Sequence, residues 1–361
     1  MFYHVRGLFR KLPCWSEAGK ANRKSEPEKK MSEADENAAS DAPGNTLGNG
    51  KPPLSPAEPQ PWLQRHLDQA FIGEDGLRSG WRLLLYLAIR KGLLLLLGVV
   101  LYWALPPEML HLWADLVIEL VLLVVAMVPA FLMARLEERR FGAYGLPASQ
   151  AFGKLFWVGA AWGLGALTVL LLAMHGAGGF EVDRLALHGA RILKFAGFWG
   201  LYFLIVSFAE EFSLRGYTQF TLTETIGFWP AAVLLSVLFA YLHRRNPGEN
   251  FAGLMGAGVI GLFFCLTLRR TGSLWFGVGF HAAWDWGETY FYSVPDSGAM
   301  APGHLLRTSL PGPEWLTGGS AGPEASVLLF AVVALSWFAF ARIYREPRYS
   351  GPGERSPGAR V

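Results

Sequence analysis

The sequence is poor in charged residues and in cysteine. Only 17% of its 361 residues are charged, against about 25% in an ordinary soluble domain, and this deficit argues against a soluble enzyme. The two cysteines, Cys14 and Cys265, fall in a polar segment and an apolar run, which argues against a disulfide framework or a cysteine metal site. The formal net charge of +3 is too small to indicate a nucleic-acid partner.

Apolar and aromatic residues are abundant instead. The chain is 52% hydrophobic and contains 14 Trp, 25 Phe and 42 Gly, which are the residues expected at membrane interfaces and within transmembrane helices. Eight segments approach the roughly 20 apolar residues that a spanning helix needs, so we predict an all-α, polytopic membrane helix bundle of about eight helices. The segments are 83–105, 116–134, 155–174, 192–209, 228–242, 251–268, 273–292 and 325–341.

The distribution of basic residues predicts the topology. Lys and Arg are densest in the loop 135–154, in the link Arg269–Arg270 and in the tail 342–360. By the positive-inside rule these segments are cytoplasmic, and with eight helices both termini lie in the cytoplasm of a protein of the cell membrane. The fifth segment is short and contains Pro230, so a count of seven spanning helices is the alternative.

The chain divides into four parts by composition. Residues 1–61 are polar and rich in Gly, Pro and Ser, which predicts a disordered cytoplasmic tail. Residues 62–82 form an amphipathic lead-in, residues 83–344 the transmembrane domain, and residues 345–361 a cytoplasmic C-terminal tail.

Ionisable residues inside the apolar runs indicate function, because each costs on the order of 2.5–3.5 kcal/mol to insert. They concentrate in three motifs that share the helical i,i+4 spacing. These are Glu210-Glu211-x-x-x-Arg215, Phe239-x-x-x-His243 and His281-x-x-x-Asp285. Glu211 and Arg215 share one helix face and can pair, which leaves Glu210 free.

Each motif alone also has a structural interpretation. EExxxR is common as a surface salt bridge, a single His such as His243 is often a satisfied structural residue, and HxxxD is frequent. All three together in apolar helices would be costly unless they converge on one site, and convergence would bring together a carboxylate base, two imidazoles and an orienting carboxylate.

In this order and on successive apolar helices, the three motifs resemble the CPBP family of intramembrane proteases, which includes the type II CAAX prenyl endopeptidases and bacteriocin-processing or immunity homologues. The resemblance covers about 80–292, with the motif core at 208–286. Two positions depart from the common family pattern: Leu214, where many members have Phe, and Asp285, where Asn is frequent.

The predicted activity is hydrolysis of a peptide bond in a membrane-associated protein or peptide. Glu210 is the predicted general base, and His243 positions the water. The resemblance implies that His281 and Asp285 bind or polarise the substrate carbonyl and that Glu211, Arg215 and Phe239 support the site. Glu210, His243 and His281 also form a plausible Zn set, but a metal-free, glutamate-activated water fits the family equally, and no HExxH pattern is present.

Two other classes of function stay open at this point. Charged residues within membrane helices also build the proton relays of transporters, although the sequence shows no inverted repeat. A non-catalytic membrane scaffold that retains the fold is the other alternative. The partners that we expect are the lipid bilayer and a membrane-associated substrate, whose identity no sequence feature reveals.

Overall fold

The computed structural model describes residues 71–73, 76–104 and 107–349. The predicted tail 1–61, most of the lead-in and most of the C-terminal tail therefore lie outside the described residues. The described end of the lead-in contains an antiparallel pair of two-residue strands, β1 (Ile72–Gly73) and β2 (Gly76–Leu77), followed by the first turn of the first helix.

The described residues are mainly helical. The main helices are α1 (Ser79–Ala104), α2 (Pro107–Leu136), α3 (Lys154–Gly176), α4 (Ala190–Arg215), α5 (Tyr217–Ile226), α6 (Phe228–His243), α7 (Phe251–Thr271), α8 (Trp275–Trp286), α9 (Glu314–Thr317) and α10 (Val327–Ile343). A π-helical turn, Gly287–Tyr292, continues α8. Three short 3₁₀ turns lie at Phe141–Tyr144, Ala148–Gln150 and Pro323–Ala325.

Each of the eight predicted apolar segments coincides with a helix, and the prediction of an all-α membrane bundle is confirmed. Among the described residues, five stretches are long and apolar enough to cross a membrane: Ser79–Ala104, Ala114–Leu136, Lys154–Gly176, Ala190–Ile226 and Phe251–Thr271. The helices α6 and α10 are apolar but have only 16 and 17 residues. At a rise of 1.5 Å per residue, each extends for about 25 Å, less than the roughly 30 Å of a hydrocarbon core.

The short helix α5 is absent from the sequence prediction because its residues, YTQFTLTETI, contain no apolar run. Gly216 separates it from α4 in a backbone conformation that is neither helical nor extended (φ −81°, ψ −121°), where an added Cβ would lie 2.5 Å from the carbonyl oxygen of Phe212. Pro230, which weakened the prediction of α6, occupies the third position of that helix. The backbone N–H of a first-turn residue has no partner within the helix, so proline is tolerated there.

Glycines bring α3 and α8 into close contact. A Cβ added at Gly159 would lie 2.1 Å from the carbonyl oxygen of Phe276, and one at Gly163 would lie 2.2 Å from that of Phe280. From the other side, a Cβ at Gly279 would lie 2.1 Å from the carbonyl oxygen of Phe156. Small residues of this kind let membrane helices pack backbone to backbone. The position of α8, which carries the third motif, is therefore set by α3.

Replacing Gly163 by Ala should therefore destabilise the protein, because the new methyl group overlaps a backbone oxygen of α8 that has little room to move. We expect a loss of about 1–3 kcal/mol or more, measured as a lower midpoint of thermal unfolding in detergent. Gly165→Ala on the same helix is the matched control, since no described residue lies within 4 Å of its added Cβ. Equal stability of the two variants would contradict this account of the helix contact.

The loop after the π turn folds back over the helix ends. Its strand β4 (Leu306–Ser309) pairs in antiparallel fashion with β3 (Glu181–Leu185), which follows α3, so that Glu181 lies opposite Ser309 and Leu185 opposite Leu306. Further along, the hydroxyl of Ser326 caps the start of α10 by accepting from the N–H of Leu328 at 3.2 Å. The loop is thus attached in its middle by the β3–β4 pairing and ends in the cap of α10, and it provides part of the wall of the candidate site.

Candidate active site

A cavity of about 310 Å³ lies between α4, α6, α7 and α8, and the loop 293–326 contributes to its wall. Predicted site residues from all three motifs line it, namely Glu210, Phe239, His243, His281 and Asp285. Aromatic and aliphatic side chains form much of the remaining wall, among them Trp199, Tyr202, Phe203, Val206, Ile260, Phe264 and Phe280. A mostly apolar cavity with a few convergent polar groups is typical of a binding site for a small molecule or peptide.

The second glutamate of the first motif forms a fully buried ion pair. Nη1 of Arg215 donates to Oε1 of Glu211 at 3.0 Å, and neither side chain has exposed surface. The guanidinium carbon of Arg215 also lies 4.5 Å from the ring centroid of Phe239, close enough for a cation–π interaction. An added Cβ at Gly261 would lie 2.6 Å from Nη2 of Arg215, so α7 leaves space for this guanidinium by having no side chain there.

His281 lies among the three carboxylates of the first and third motifs. Its Nδ1 lies 3.1 Å from Oε1 of Glu211, while its Nε2 lies 3.4 Å from Oδ2 of Asp285 and 3.9 Å from Oε2 of Glu210. The i,i+4 spacing predicts the contact with Asp285. The contact with Glu211 joins α4 to α8 and is not visible in either motif alone. Because of this contact between helices, Glu211 touches both Arg215 and His281.

Glu210 differs from Glu211 in its surroundings. It lines the cavity with 7% of its surface exposed, and His281 is its one ion-pair contact within 4 Å in the described part of the chain. The expected difference between the paired Glu211 and the less constrained Glu210 is therefore present in the geometry.

His243 has its tautomer fixed by its own helix. Its Nδ1 lies 2.8 Å from the carbonyl oxygen of Phe239 one turn earlier. A carbonyl only accepts hydrogen bonds, so Nδ1 carries the proton and Nε2 keeps its lone pair when the ring is neutral. The ring also packs edge-on against Phe239 at 4.4 Å between centroids. Phe239 thus contacts both Arg215 and His243.

These residues fall in the part of the chain that matches a known family. Residues 192–287 match the family described as type II CAAX prenyl endopeptidase Rce1-like, and the matched segment runs from α4 to the end of α8 with all three motifs inside it. This segment is similar to the Rce1-like family. The match confirms the family predicted from the motifs and supports an intramembrane CAAX-type endopeptidase in general. No curated protein shows significant similarity to the chain.

The Rce1-like segment does not bring its predicted metal ligands into a compact set. Among the described residues, Glu210, His243 and His281 are not a group whose ligand atoms all lie within 4.8 Å of one another. Both ring nitrogens of His281 also face carboxylates, through Glu211 and Asp285. The side chains as arranged do not fit a zinc ion.

Several acidic residues of the cavity were missed by the sequence analysis. Glu249 lies between α6 and α7, whereas Asp296 and Glu324 lie in the loop after the Rce1-like segment. Burial raises the pKa of Glu249 to about 7 and that of Asp296 to about 8, and burial also raises the pKa of Glu324. These residues follow no motif, and only the folding of the loops brings them to the cavity.

Proposed function

We propose that the protein is an intramembrane endopeptidase that cleaves a membrane-associated protein or peptide with a water molecule activated by Glu210 and His243. The observation that carries this proposal is the convergence of the three motifs on one largely apolar cavity. Hydrolysis inside a membrane requires a polar pocket, an activated water and a group that stabilises the developing oxyanion. The cavity supplies a candidate for each of these parts.

Glu210 acts as the general base in this mechanism. Glu211 is occupied by Arg215 and His281, whereas Glu210 faces the cavity without a guanidinium partner among the described residues. It accepts a proton from the water as the water attacks the scissile carbonyl carbon. The same carboxylic acid can then deliver that proton to the leaving amine.

His243 positions the attacking water. With Nδ1 bonded to the Phe239 carbonyl, its Nε2 lone pair can accept a hydrogen bond from the water that Glu210 deprotonates. The helix fixes this tautomer through its own backbone, so the acceptor is in place before the substrate binds.

His281 stabilises the oxyanion. Carboxylates accept hydrogen bonds, so a ring nitrogen that faces one carries a proton. Glu211 holds Nδ1–H at 3.1 Å, while Asp285 lies 3.4 Å from Nε2, a looser contact that a substrate oxygen can replace. Glu211 and Asp285 therefore orient the ring, and Nε2–H is the donor offered to the substrate carbonyl.

The substrate approaches an apolar wall. Trp199, Phe203 and Val206 of α4 line the cavity and suit a hydrophobic or lipid-modified chain better than a polar one. The bilayer and a membrane-embedded peptide are accordingly the proposed partners, and the cell membrane is the proposed location.

We further propose that both termini are cytoplasmic. A topology reporter fused after Val361 tests this proposal, and finding the reporter on the opposite side of the membrane would contradict it.

The proposed activity is tested with purified full-length protein in liposomes. We expect it to cleave a membrane-anchored reporter peptide into two products whose masses sum to that of the peptide plus one water. Two otherwise identical peptides, one carrying a prenylated C-terminal CAAX sequence and one an unprenylated CAAX sequence, show whether the lipid is required. Absence of cleavage of every membrane-anchored peptide tested would favour the scaffold alternative.

A further inference from the structure

A second group of carboxylates lies beyond the catalytic residues. Glu288, Asp296 and Glu324 each place a carboxylate oxygen within 4.8 Å of the other two. Glu288 lies in the π turn that follows α8, whereas the other two belong to the loop 293–326. The group therefore connects the end of the helix that carries His281 to the loop that forms part of the cavity wall.

Glu288 is the member that most needs a partner. Its side chain has no exposed surface, and neither of its carboxylate oxygens accepts a well-formed hydrogen bond from the described residues, the indole N–H of Trp284 making only a weak contact. A buried carboxylate left in this way is costly unless a cation or a proton neutralises it. The π turn presents this carboxylate to Asp296 and Glu324, and π turns are frequent at functional sites.

The other two carboxylates are held in place by hydroxyl groups. Oδ2 of Asp296 accepts from the hydroxyl of Thr289 at 3.0 Å, and Oε2 of Glu324 accepts from the hydroxyl and N–H of Ser297 at 2.9 and 3.2 Å. In the described part of the chain none of the three carboxylates forms a salt bridge with Arg, Lys or His. Among the described residues, this group therefore has three carboxylates and no basic side chain within salt-bridge distance of them.

We propose that Glu288, Asp296 and Glu324 bind one hard divalent cation, Ca²⁺ or Mg²⁺, that fastens the loop 293–326 to the end of α8. Carboxylate oxygens are the ligands that both ions prefer, and water molecules can complete the coordination. Ca²⁺ tolerates an irregular set of six to eight oxygens, whereas Mg²⁺ needs a near-octahedral one and retains several waters. This site differs in residues and in chemistry from a Glu–His zinc set.

The cation would act on the cavity through the loop. Asp296 and Glu324 also line the cavity that contains Glu210 and His281. When Asp296 and Glu324 bind the same ion as Glu288, the part of the cavity wall that they form is held in a fixed position relative to α8. The site is therefore structural, and its occupancy does not depend on whether the protein cleaves peptides.

Metal binding is measured directly on the purified full-length protein. After treatment with a chelator, titration with Mn²⁺ followed by electron paramagnetic resonance should show about one tightly bound ion per chain, and competition with Ca²⁺ and with Mg²⁺ shows which of them displaces it better. Saturating Ca²⁺ or Mg²⁺ should also raise the midpoint of thermal unfolding by about 3 °C or more. Both effects should be lost in Glu288→Gln and kept in Glu181→Gln, an exposed acidic residue of β3.

Three results would overturn the proposal. The first is absence of a tightly bound Mn²⁺ in the wild-type protein, and the second is equal binding by Glu288→Gln. The third is a pair of observations: Glu288→Gln is more stable than the wild type, and cations do not stabilise the wild type. Together they would show that protons, and not a metal ion, neutralise the three carboxylates. If Glu288→Gln does not fold, Asp296→Asn and Glu324→Gln, whose side chains are only partly buried, serve as the test variants.

Discussion

Replacing Glu210 by Gln is expected to lower the rate of peptide cleavage by a factor of about 10² or more, the size of effect typical for loss of a general base. Glutamine keeps the size of the side chain and can still donate and accept hydrogen bonds, but it cannot take a proton from water. Glu210 has no guanidinium partner among the described residues, so the substitution leaves no buried positive charge unpaired. The variant should therefore insert and unfold like the wild-type protein.

The measurement compares initial rates of cleavage of the same membrane-anchored peptide by both proteins in liposomes, at matched protein content. Glu181→Gln, in an exposed strand outside the cavity, is the control for loss of a carboxylate as such and should cleave at the wild-type rate. Near-normal cleavage by Glu210→Gln would refute the assignment of the base. Loss of cleavage together with a large fall in thermal stability would also refute it, since Glu210 would then be a structural residue.

The sequence is a good predictor of where the helices lie and a weaker one of where they begin and end. Hydrophobic runs locate all eight segments because burial in lipid selects for apolar residues along the whole helix. The helix α4 continues six residues past the predicted end at 209, through Glu210, Glu211 and Arg215. These charges are tolerated inside the helix because Glu211 and Arg215 neutralise each other, and a scale of single-residue hydropathy does not include that pairing.

The site could be predicted where its contacts lie within one helix. The pairs Glu211–Arg215 and His281–Asp285 follow from the i,i+4 spacing, and both are present. The contact between Glu211 and His281 joins two residues that are 70 positions apart and lie on different helices, and it depends on glycine-mediated packing of α8 against α3. The three carboxylates around Glu288 depend in addition on the path of an irregular loop, which leaves no periodic pattern in the sequence.

Replacing Glu211 by Ala should act mainly through stability, in contrast to Glu210→Gln. The variant leaves the guanidinium of Arg215 buried and without its carboxylate, and removing one partner of a buried ion pair costs about 3–5 kcal/mol. The cation–π contact with Phe239 is already present in the wild-type protein, so it does not offset this loss. We expect low yields in detergent or a large fall in the midpoint of thermal unfolding.

A double-mutant cycle separates the ion pair from other roles of Glu211. Arg215→Met removes the charge and keeps an apolar side chain in contact with Phe239, so the double variant Glu211→Ala/Arg215→Met should be more stable than Glu211→Ala alone. Cleavage should nevertheless stay low in the double variant, because Glu211 also holds Nδ1 of His281 at 3.1 Å and its loss frees the imidazole to turn away from the substrate carbonyl. Stability that fails to recover in the double variant would show that the main structural partner of Glu211 is His281 and not Arg215. Full recovery of cleavage would show that the contact with His281 is dispensable, and the orienting role given to Glu211 would then be wrong.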